Sequence, residues 1–206
     1  MAQRFSSLPD EKQQQILDAA AEVFSREDYK RASTDDIAAR AGISKGLLFY
    51  YFKNKQSLYL YVADPMRHLV ERHLERGKVA EITDFFDMLD YGAQEKLQLF
   101  QRQPWVLNLS LRLYYATDKD VVSSLRQRFM EMLDEMWDVY FSQIDREKFR
   151  PGIEPRLVLD QLVYLIDGYI HQQMMRSKRV NMDALMAEYA LWRDMLRQYA
   201  YKEEYQ

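Results

Sequence analysis

Three lysines and a tyrosine pair lie close together in the sequence, within the first 55 residues. Lys45, Lys53 and Lys55 flank the adjacent Tyr50 and Tyr51. Taken alone, such lysines indicate an ordinary solvated helix face. An exposed tyrosine pair is unusual on such a face, whereas ammonium and phenol groups are good donors to phosphate oxygens. Without a motif, the solvated face stays the default for the lysines; a motif that presents the grouping to DNA would instead make it a phosphate-binding surface.

Residues suited to catalysis or metal binding are scarce. His68, Glu71 and His73 cluster, but histidines five residues apart do not share a helix face as residues four apart do. The chain has no cysteine, which excludes disulfides, thiolate metal sites and a cysteine nucleophile. No glycine-rich phosphate loop or nucleophile–base pairing is recognisable. We predict that the protein is not an enzyme and needs no cofactor and no metal.

Composition favours a helical protein with a substantial core. The 206 residues are 48% hydrophobic and include only 6 Gly and 5 Pro. The net charge is -3, although the first 60 residues carry 9 Lys or Arg against 8 Asp or Glu. There is no run of 18 apolar residues, and the first residues lack the apolar core of a signal peptide. We therefore expect a cytoplasmic protein without a membrane partner.

Capping residues predict three helices near the N-terminus. The first covers about 9–26. The second begins at the capping box Ser33-x-x-Asp36 and ends at Gly42, which is free to adopt the left-handed conformation that closes a helix. The third has Ser44 as its N-cap and ends near Phe52.

The remaining pattern is helical as well, and no alternating strand pattern occurs. Asn54 begins a long fourth helix that Pro65 interrupts. Thr117-x-x-Asp120 is a further capping box, and Asn181 is a cap for the last helix. The fold class is all-α, with about nine helices; the later ones are expected over about 81–103, 104–116, 118–144, 155–178 and 181–201.

The second and third helices form a helix-turn-helix unit. The turn is Ala41-Gly42-Ile43-Ser44, and small residues at Ala38 and Ala41 allow the two helices to approach closely. The third helix would enter the major groove of DNA with its N-terminal residues at base edges. Its unpaired N–H groups and positive dipole end suit phosphate. The residues expected to pack the two helices together are Ile37, Ala38, Leu48 and Phe52.

Over about 10–60 the chain resembles the TetR (tetracycline-repressor) family. The preceding Ile16-Leu17-Asp18-Ala19-Ala20 and Val23-Phe24 are similar to that family's first helix. The resemblance implies a DNA-binding helix-turn-helix head over 1–56 and a larger helical effector-binding and dimerisation body over 57–206. The matching motif is Ser33-Thr34-x-x-Ile37-Ala38-x-x-Ala41-Gly42-Ile43-Ser44-Lys45-Gly46-x-Leu48-Phe49-Tyr50-Tyr51-Phe52-x-x-Lys55.

The resemblance also implies which residues contact DNA. Phe49 departs from the family's usual tyrosine, and its apolar edge could instead meet a thymine methyl. Asp28 replaces a common turn glycine, a change that Asp tolerates. The residues expected at phosphates are Thr34, Tyr50, Tyr51 and Lys55, and those expected at or near base edges are Lys45, Gly46, Leu47 and Phe49. Ser44 is a further expected DNA contact.

The last two helices carry apolar seams at spacings of three and four. Such helices pack as an antiparallel pair and can pair again with a second copy. The alternative is that both seams lie in the core of one chain. The resemblance implies a homodimer through a four-helix bundle. The expected interface residues are Val158, Leu162, Leu165, Tyr169, Leu185, Tyr189, Trp192, Leu196 and Tyr199.

The resemblance further implies a small-molecule effector bound in the body. A mostly apolar pocket with Arg112 or Asp167 as a polar anchor would fit, with Gly168 as a site of close packing. Core packing is the plainer alternative for each pocket residue. Pro65 could act as a hinge between head and body, or a helix could simply end and restart there. The expected pocket residues are Trp105, Asn108, Leu109, Arg112, Leu113, Phe129, Leu133, Trp137, Tyr140, Tyr164, Asp167 and His171.

Together these features predict a repressor that binds a palindromic operator as a homodimer and is released by an effector. Two alternatives stay open. A DNA-binding protein of this fold that organises the chromosome would occupy many genomic sites. A helical protein-interaction module would bind no DNA in a gel shift.

Overall fold

Helices make up most of the described part of the chain. The structure is a computed structural model that describes residues 5–63, 76–176 and 180–206. Within those ranges there is no strand beyond an isolated antiparallel bridge between Phe149 and Tyr201. The predicted all-α class is confirmed, with ten helices in the described ranges rather than nine. They are α1 Asp10–Arg26, α2 Thr34–Arg40, α3 Lys45–Phe52, α4 at 55–63, α5 Arg76–Glu81, α6 Phe85–Arg102, α7 Pro104–Tyr114, α8 Val122–Tyr140, α9 Pro155–Met175 and α10 Met182–Ala200.

Packing divides the chain into two compact units. The first contains residues 5–63 together with 98–135, and the second contains 76–97, 136–176 and 180–206. The predicted domains, 1–56 and 57–206, follow the DNA-binding motif, whereas these units follow side-chain packing. In the structure, residues 98–135 belong with the N-terminal helices.

The first unit is organised around α1. Ile16, Ala20 and Phe24 recur every four residues and are completely buried, because this spacing places them on one helix face. That face packs against α2 and α7. Arg112 of α7 stabilises the end of α1, because its guanidinium donates to the Ser25 and Arg26 carbonyls at 3.0 and 2.8 Å. These carbonyls lie in the last turn of α1, where backbone acceptors lack helical partners.

The second unit contains a buried helix cap. Asp84 is 6% exposed, and its Oδ1 accepts from the backbone N–H groups of Phe86 and Asp87 at 2.9 and 3.1 Å, which begins α6. Its Oδ2 accepts from Lys148 Nζ at 2.8 Å. Burial by itself raises the pKa of the Asp84 carboxyl. The hydrogen bonds from Lys148 and from the backbone together lower that pKa by more than burial raises it, so the pKa lies below its ordinary value.

Helices α9 and α10 pair within the second unit. Val158 and Leu162 of α9 are buried, as are Leu185 and Leu196 of α10. The Asn181 side chain accepts from the Ala184 N–H at 3.1 Å, so the predicted cap of the last helix forms.

Helix α8 begins later than the sequence pattern indicates. Asp118 takes the position expected of Thr117: its carboxylate accepts from the Asp120 N–H at 3.0 Å, and its carbonyl accepts from the Val122 N–H at 2.9 Å. These bonds close a turn, so the first helical residue is Val122 rather than 118. No helix in the described ranges is long and apolar enough to cross a membrane.

Candidate DNA interface

The junction between α2 and α3 is held by three local features. The Ser33 hydroxyl accepts from the Asp36 N–H at 3.3 Å and begins α2, although the Asp36 carboxylate binds Arg40. Gly42 has a φ of 62°, a conformation that costs little only for glycine. The Ser44 hydroxyl accepts from the Leu47 N–H at 3.1 Å and begins α3. The orientation of α3 is therefore set by its immediate neighbours in sequence.

Helix α3 has a buried and an exposed side. Leu48 and Phe52 are 0% and 4% exposed and belong to the core of the first unit. On the other side Leu47 is 37% exposed and Tyr50 is 55% exposed. Among the other expected DNA contacts, Ser44, Lys45 and Gly46 are exposed, and Thr34, Phe49, Tyr51 and Lys55 are half-buried.

Lys45 at the start of α3 is paired within the chain. Its ammonium contacts the Asp35 carboxylate of α2 at 2.8 Å, and the two side chains are 50% and 68% exposed. Ion pairs this exposed contribute little to stability because water screens them. The ammonium can therefore exchange Asp35 for another anion at small cost.

The Lys55 ammonium contacts backbone carbonyls of the first unit. Its Nζ donates to the carbonyls of Lys30 and Ala32 at 3.0 and 3.2 Å and lies 4.8 Å from the centre of the Tyr29 ring. Burial lowers the pKa of Lys55, and the nearby Asp118 carboxylate partly opposes this shift. An ammonium has three donors, so two of them hold the segment before α2 and one remains for a phosphate.

Phe5 belongs to this region, although the sequence patterns did not identify it. It is 1% exposed, and its ring contacts Tyr51 and Phe52 of α3. The sequence signal was present as a single aromatic residue before Pro9. A lone residue has no periodicity, so its partner could not be inferred from the sequence.

The geometry agrees with a known DNA-binding family. The family model described as "Bacterial regulatory proteins, tetR family" matches residues 16–62, which include most of α1, the α2–α3 unit and nearly all of α4. Over these residues the chain is similar to the tetR family. The family predicted from the sequence is thus confirmed.

Individual tetR-family relatives extend the similarity beyond the head. The HTH-type transcriptional activator FasR of Mycolicibacterium smegmatis is 29% identical over 154 residues, a stretch that covers 66% of this chain and 62% of FasR. The fatty acid metabolism regulator protein of Bacillus subtilis is 26% identical over 186 residues, 84% of this chain and 89% of its own. The structure of FadR from Bacillus subtilis in complex with stearoyl-CoA has a TM-score of 0.62 at 21% identity, covering 89% of this chain and 96% of that one.

Some residues expected to line an effector pocket make other contacts or are exposed in the structure. Leu109 is 0% exposed within the core of the first unit, and Arg112 holds the end of α1. Tyr164 is 65% exposed and His171 is exposed too, so neither lines the interior of the second unit. A Cβ on Gly168 would meet nothing within 4 Å in the described structure, which contradicts close packing there within the chain.

The other expected pocket residues separate between the two units. Trp105 and Leu113 pack on the core of the first unit. In the second, the Trp137 ring stacks on Phe141 at 5.3 Å and lies below the Arg156 guanidinium at 5.4 Å. The remaining members are Asn108, Phe129, Leu133, Tyr140 and Asp167, which lie on α7, α8 and α9.

The expected dimer seam lies partly inside the single chain. Five of its nine members are at most 7% exposed within the unit in which α9 and α10 pair, so they cannot present their side chains to a second copy. One of them, Tyr189, donates its hydroxyl to Asp90 of α6. Tyr199, by contrast, is 56% exposed, and the Tyr169 and Trp192 rings contact each other at 5.9 Å. Leu165 is half-buried. The five buried members are Val158, Leu162, Leu185, Tyr189 and Leu196.

Two further expectations concern residues 64–75. Pro65, the suggested hinge, lies outside the described residues, and so do His68, Glu71 and His73. In the part of the chain that the structure does describe, no group of three or more His, Asp or Glu residues is placed to hold a metal ion.

Proposed function

We propose that this protein is a transcriptional repressor that binds a palindromic operator as a homodimer in the cytoplasm. The observation that carries the proposal is the exposed N-terminal half of α3, held by the Ser44 cap and the Gly42 turn on a buried core. A rigid helix with unpaired N–H groups at its exposed end is suited to the major groove. The family model that matches residues 16–62 describes bacterial regulatory proteins.

The proposed DNA contacts lie on or beside the exposed side of α3. Lys45, Gly46, Leu47 and Phe49 face base edges, and Tyr50, Tyr51, Thr34, Ser44 and Lys55 hold phosphates or the helix end beside them. Lys45 leaves Asp35 for a base or phosphate acceptor. If Lys45 donates to a guanine, Lys45→Ala should cost about 1–3 kcal/mol at one base position in each half-site.

The proposed dimer uses the exposed apolar side chains of α9 and α10. On α10, Leu191, Met195 and Tyr199 recur every four residues and are 66%, 53% and 56% exposed. On α9, Leu157 and Tyr164 are 50% and 65% exposed, and Gly168 offers room for a close backbone approach. Exposed apolar stripes on two paired helices are suited to a four-helix interface between copies.

We propose a long-chain acyl thioester as the class of effector. Support comes from two relatives: a fatty acid metabolism regulator at 26% identity, and a FadR structure that contains stearoyl-CoA. The half-buried aromatic and aliphatic side chains of α7 and α8, such as Trp105 and Phe129, suit an acyl chain.

Stearoyl-CoA itself is the first probe for the effector. It should change the tryptophan emission of the protein and release it from DNA, whereas free coenzyme A at the same concentration should do neither. Release by small aromatic compounds, with no response to stearoyl-CoA, would contradict the acyl thioester.

DNA binding is tested by selection from random duplexes, followed by titration at several salt concentrations. Enrichment of a palindrome, with a reporter gene silenced from that site, supports the proposal. Uniform binding to all duplexes would instead indicate a chromosome-organising protein, and an absence of binding would indicate a protein-interaction module. Activation of the reporter would retain the DNA-binding proposal and reject repression.

A further inference from the structure

Four aromatic rings connect the start of the described chain to α3. The Phe5 ring lies 4.7 Å from Phe52 and 5.9 Å from Tyr51, both on α3, and 5.3 Å from Tyr61 on α4. Phe52 and Tyr61 are themselves 5.3 Å apart. We call these four side chains the ring brace. Phe5 is the only member that precedes α1, and it is 1% exposed.

Hydrogen bonds fix the backbone that carries Phe5. The Leu8 N–H donates to the Phe5 carbonyl at 3.0 Å and closes a turn. From α1, the Gln13 amide donates to the carbonyls of Leu8 and Ser6 at 2.8 and 3.4 Å. This segment precedes residues 16–62, which match the family. The family match therefore gives Phe5 no role, whereas the structure places it against the DNA-facing helix.

We propose that Phe5 is a positioning residue for DNA binding and acts by holding the Tyr51 ring so that its hydroxyl meets a phosphate. This inference rests on the proposed function. Tyr51 is half-buried, with the Phe5 ring edge-on at 71° and the ring of the 55% exposed Tyr50 at 5.5 Å. Edge-to-face pairs have a preferred geometry, so the brace limits the positions of Tyr51 before DNA arrives. Less conformational freedom is then lost on binding.

The test separates the ring from the hydroxyl. Phe5→Leu keeps an apolar side chain in the site but removes the ring, and Tyr51→Phe keeps the ring but removes the hydroxyl. In the full chain, Phe5→Leu should weaken operator binding by about 2- to 13-fold, the equivalent of one edge-to-face pair. In a chain that already carries Tyr51→Phe, Phe5→Leu should change operator affinity by less than about 2-fold, because the hydroxyl that Phe5 positions is gone.

A matched control distinguishes positioning from general stability. Val121→Ala shortens a 0% exposed side chain of the same unit, in the turn before α8, and should lower the melting temperature without changing operator affinity of the folded protein. If Phe5→Leu melts below the assay temperature, Phe5→Met, with a longer and more adaptable side chain, takes its place in the cycle.

Two results would overturn the inference alone. One is an operator affinity that Phe5→Leu leaves unchanged. The other is an equal loss of affinity from Phe5→Leu in the wild-type chain and in the chain that already carries Tyr51→Phe. Failure of the wild-type chain to select any duplex would instead overturn the proposed function, and this inference with it.

Discussion

Lys55 combines a role in the fold with an expected role at the DNA, and one substitution measures both. Lys55→Met keeps most of the aliphatic stem but removes the donor to the Lys30 and Ala32 carbonyls. Because a charged donor is lost from two backbone acceptors, the free energy of unfolding should fall by about 1–3 kcal/mol in chemical denaturation.

The same variant reports on phosphate binding. If the third donor of Lys55 reaches a phosphate, Lys55→Met should weaken all duplexes alike and reduce the salt slope of binding by about 1. Lys53→Met is the control, because it removes an equal charge from an exposed neighbour. A less stable variant with an unchanged salt slope would restrict Lys55 to the fold.

At this scale the sequence could predict residue types but not long-range partners. Lys45 and Tyr50 were expected on the outer side of α3, and each is exposed, because helical periodicity separates them from Leu48. The carbonyl partners of Lys55 lie up to 25 residues away. Such contacts depend on how helices pack, which no local pattern specifies.

Two glycines beside α3 allow stability and DNA binding to be separated at the scale of the helix. Gly46 lies in the first turn of α3, and a Cβ there would meet only the Ser44 hydroxyl at 3.9 Å. Because alanine is the better helix former, Gly46→Ala should leave stability unchanged or raise it by up to about 1 kcal/mol. It should nevertheless weaken operator binding if the backbone of α3 approaches DNA closely.

Gly42→Ala is the matched comparison. With a φ of 62°, this position strains any residue that has a Cβ, so stability should fall by about 1–2 kcal/mol. Thermal unfolding and operator titration of both variants check the pair. Full operator affinity in Gly46→Ala would contradict a close approach of α3 to DNA.

The Asp84 cap of α6 predicts that the free energy of unfolding decreases at acid pH. The Asp84 carboxyl has a pKa below its ordinary value of 3.8, so the folded state favours the ionised form. Its stabilisation is present above that ordinary value and is lost as pH falls through the lower pKa of the folded state.

Asp84→Asn isolates the charge, because asparagine is also a good helix cap. At pH 7 the variant should be less stable by about 1–2 kcal/mol, since Lys148 loses its charged acceptor. The difference should shrink towards acid pH in denaturant titrations of the two proteins. A difference that does not depend on pH would contradict the assigned role of the charge.

The first residue of a helix could be predicted where a serine or asparagine caps it, as Ser44 and Asn181 do. Such a cap involves only residues that are close in sequence. The side of α9 that is buried within the chain could not be predicted. Val158 and Leu162 face the core whereas Leu157 and Tyr164 are exposed, and both sets are apolar. Periodicity identifies the two sides of such a helix but does not say which one the chain itself covers.

At the scale of the whole molecule, the exposed apolar side chains of α9 and α10, here called the stripe, predict a dimer. The double variant Tyr164→Glu and Leu191→Glu places charge on side chains that are 65% and 66% exposed in the single chain, so folding should be unaffected. A dimer through this stripe should dissociate, because burying unpaired carboxylates is costly. Light scattering should then give a mass near 24.8 kDa instead of about twice that value.

Val139→Glu is the control for this prediction, because Val139 is 62% exposed but lies on α8 rather than on α9 or α10. It should leave the dimer intact. A wild-type chain that is monomeric, or a double variant that remains dimeric, would contradict the proposed interface.

The central claim is that two copies of α3 enter the major groove on one side of the same duplex. Hydroxyl-radical footprinting on the selected duplex tests it most directly. The account predicts two protected patches on one side of the helix, with their centres about 34–36 Å, or a multiple of that distance, apart. A single protected patch, or none, on a duplex that the protein binds would contradict it.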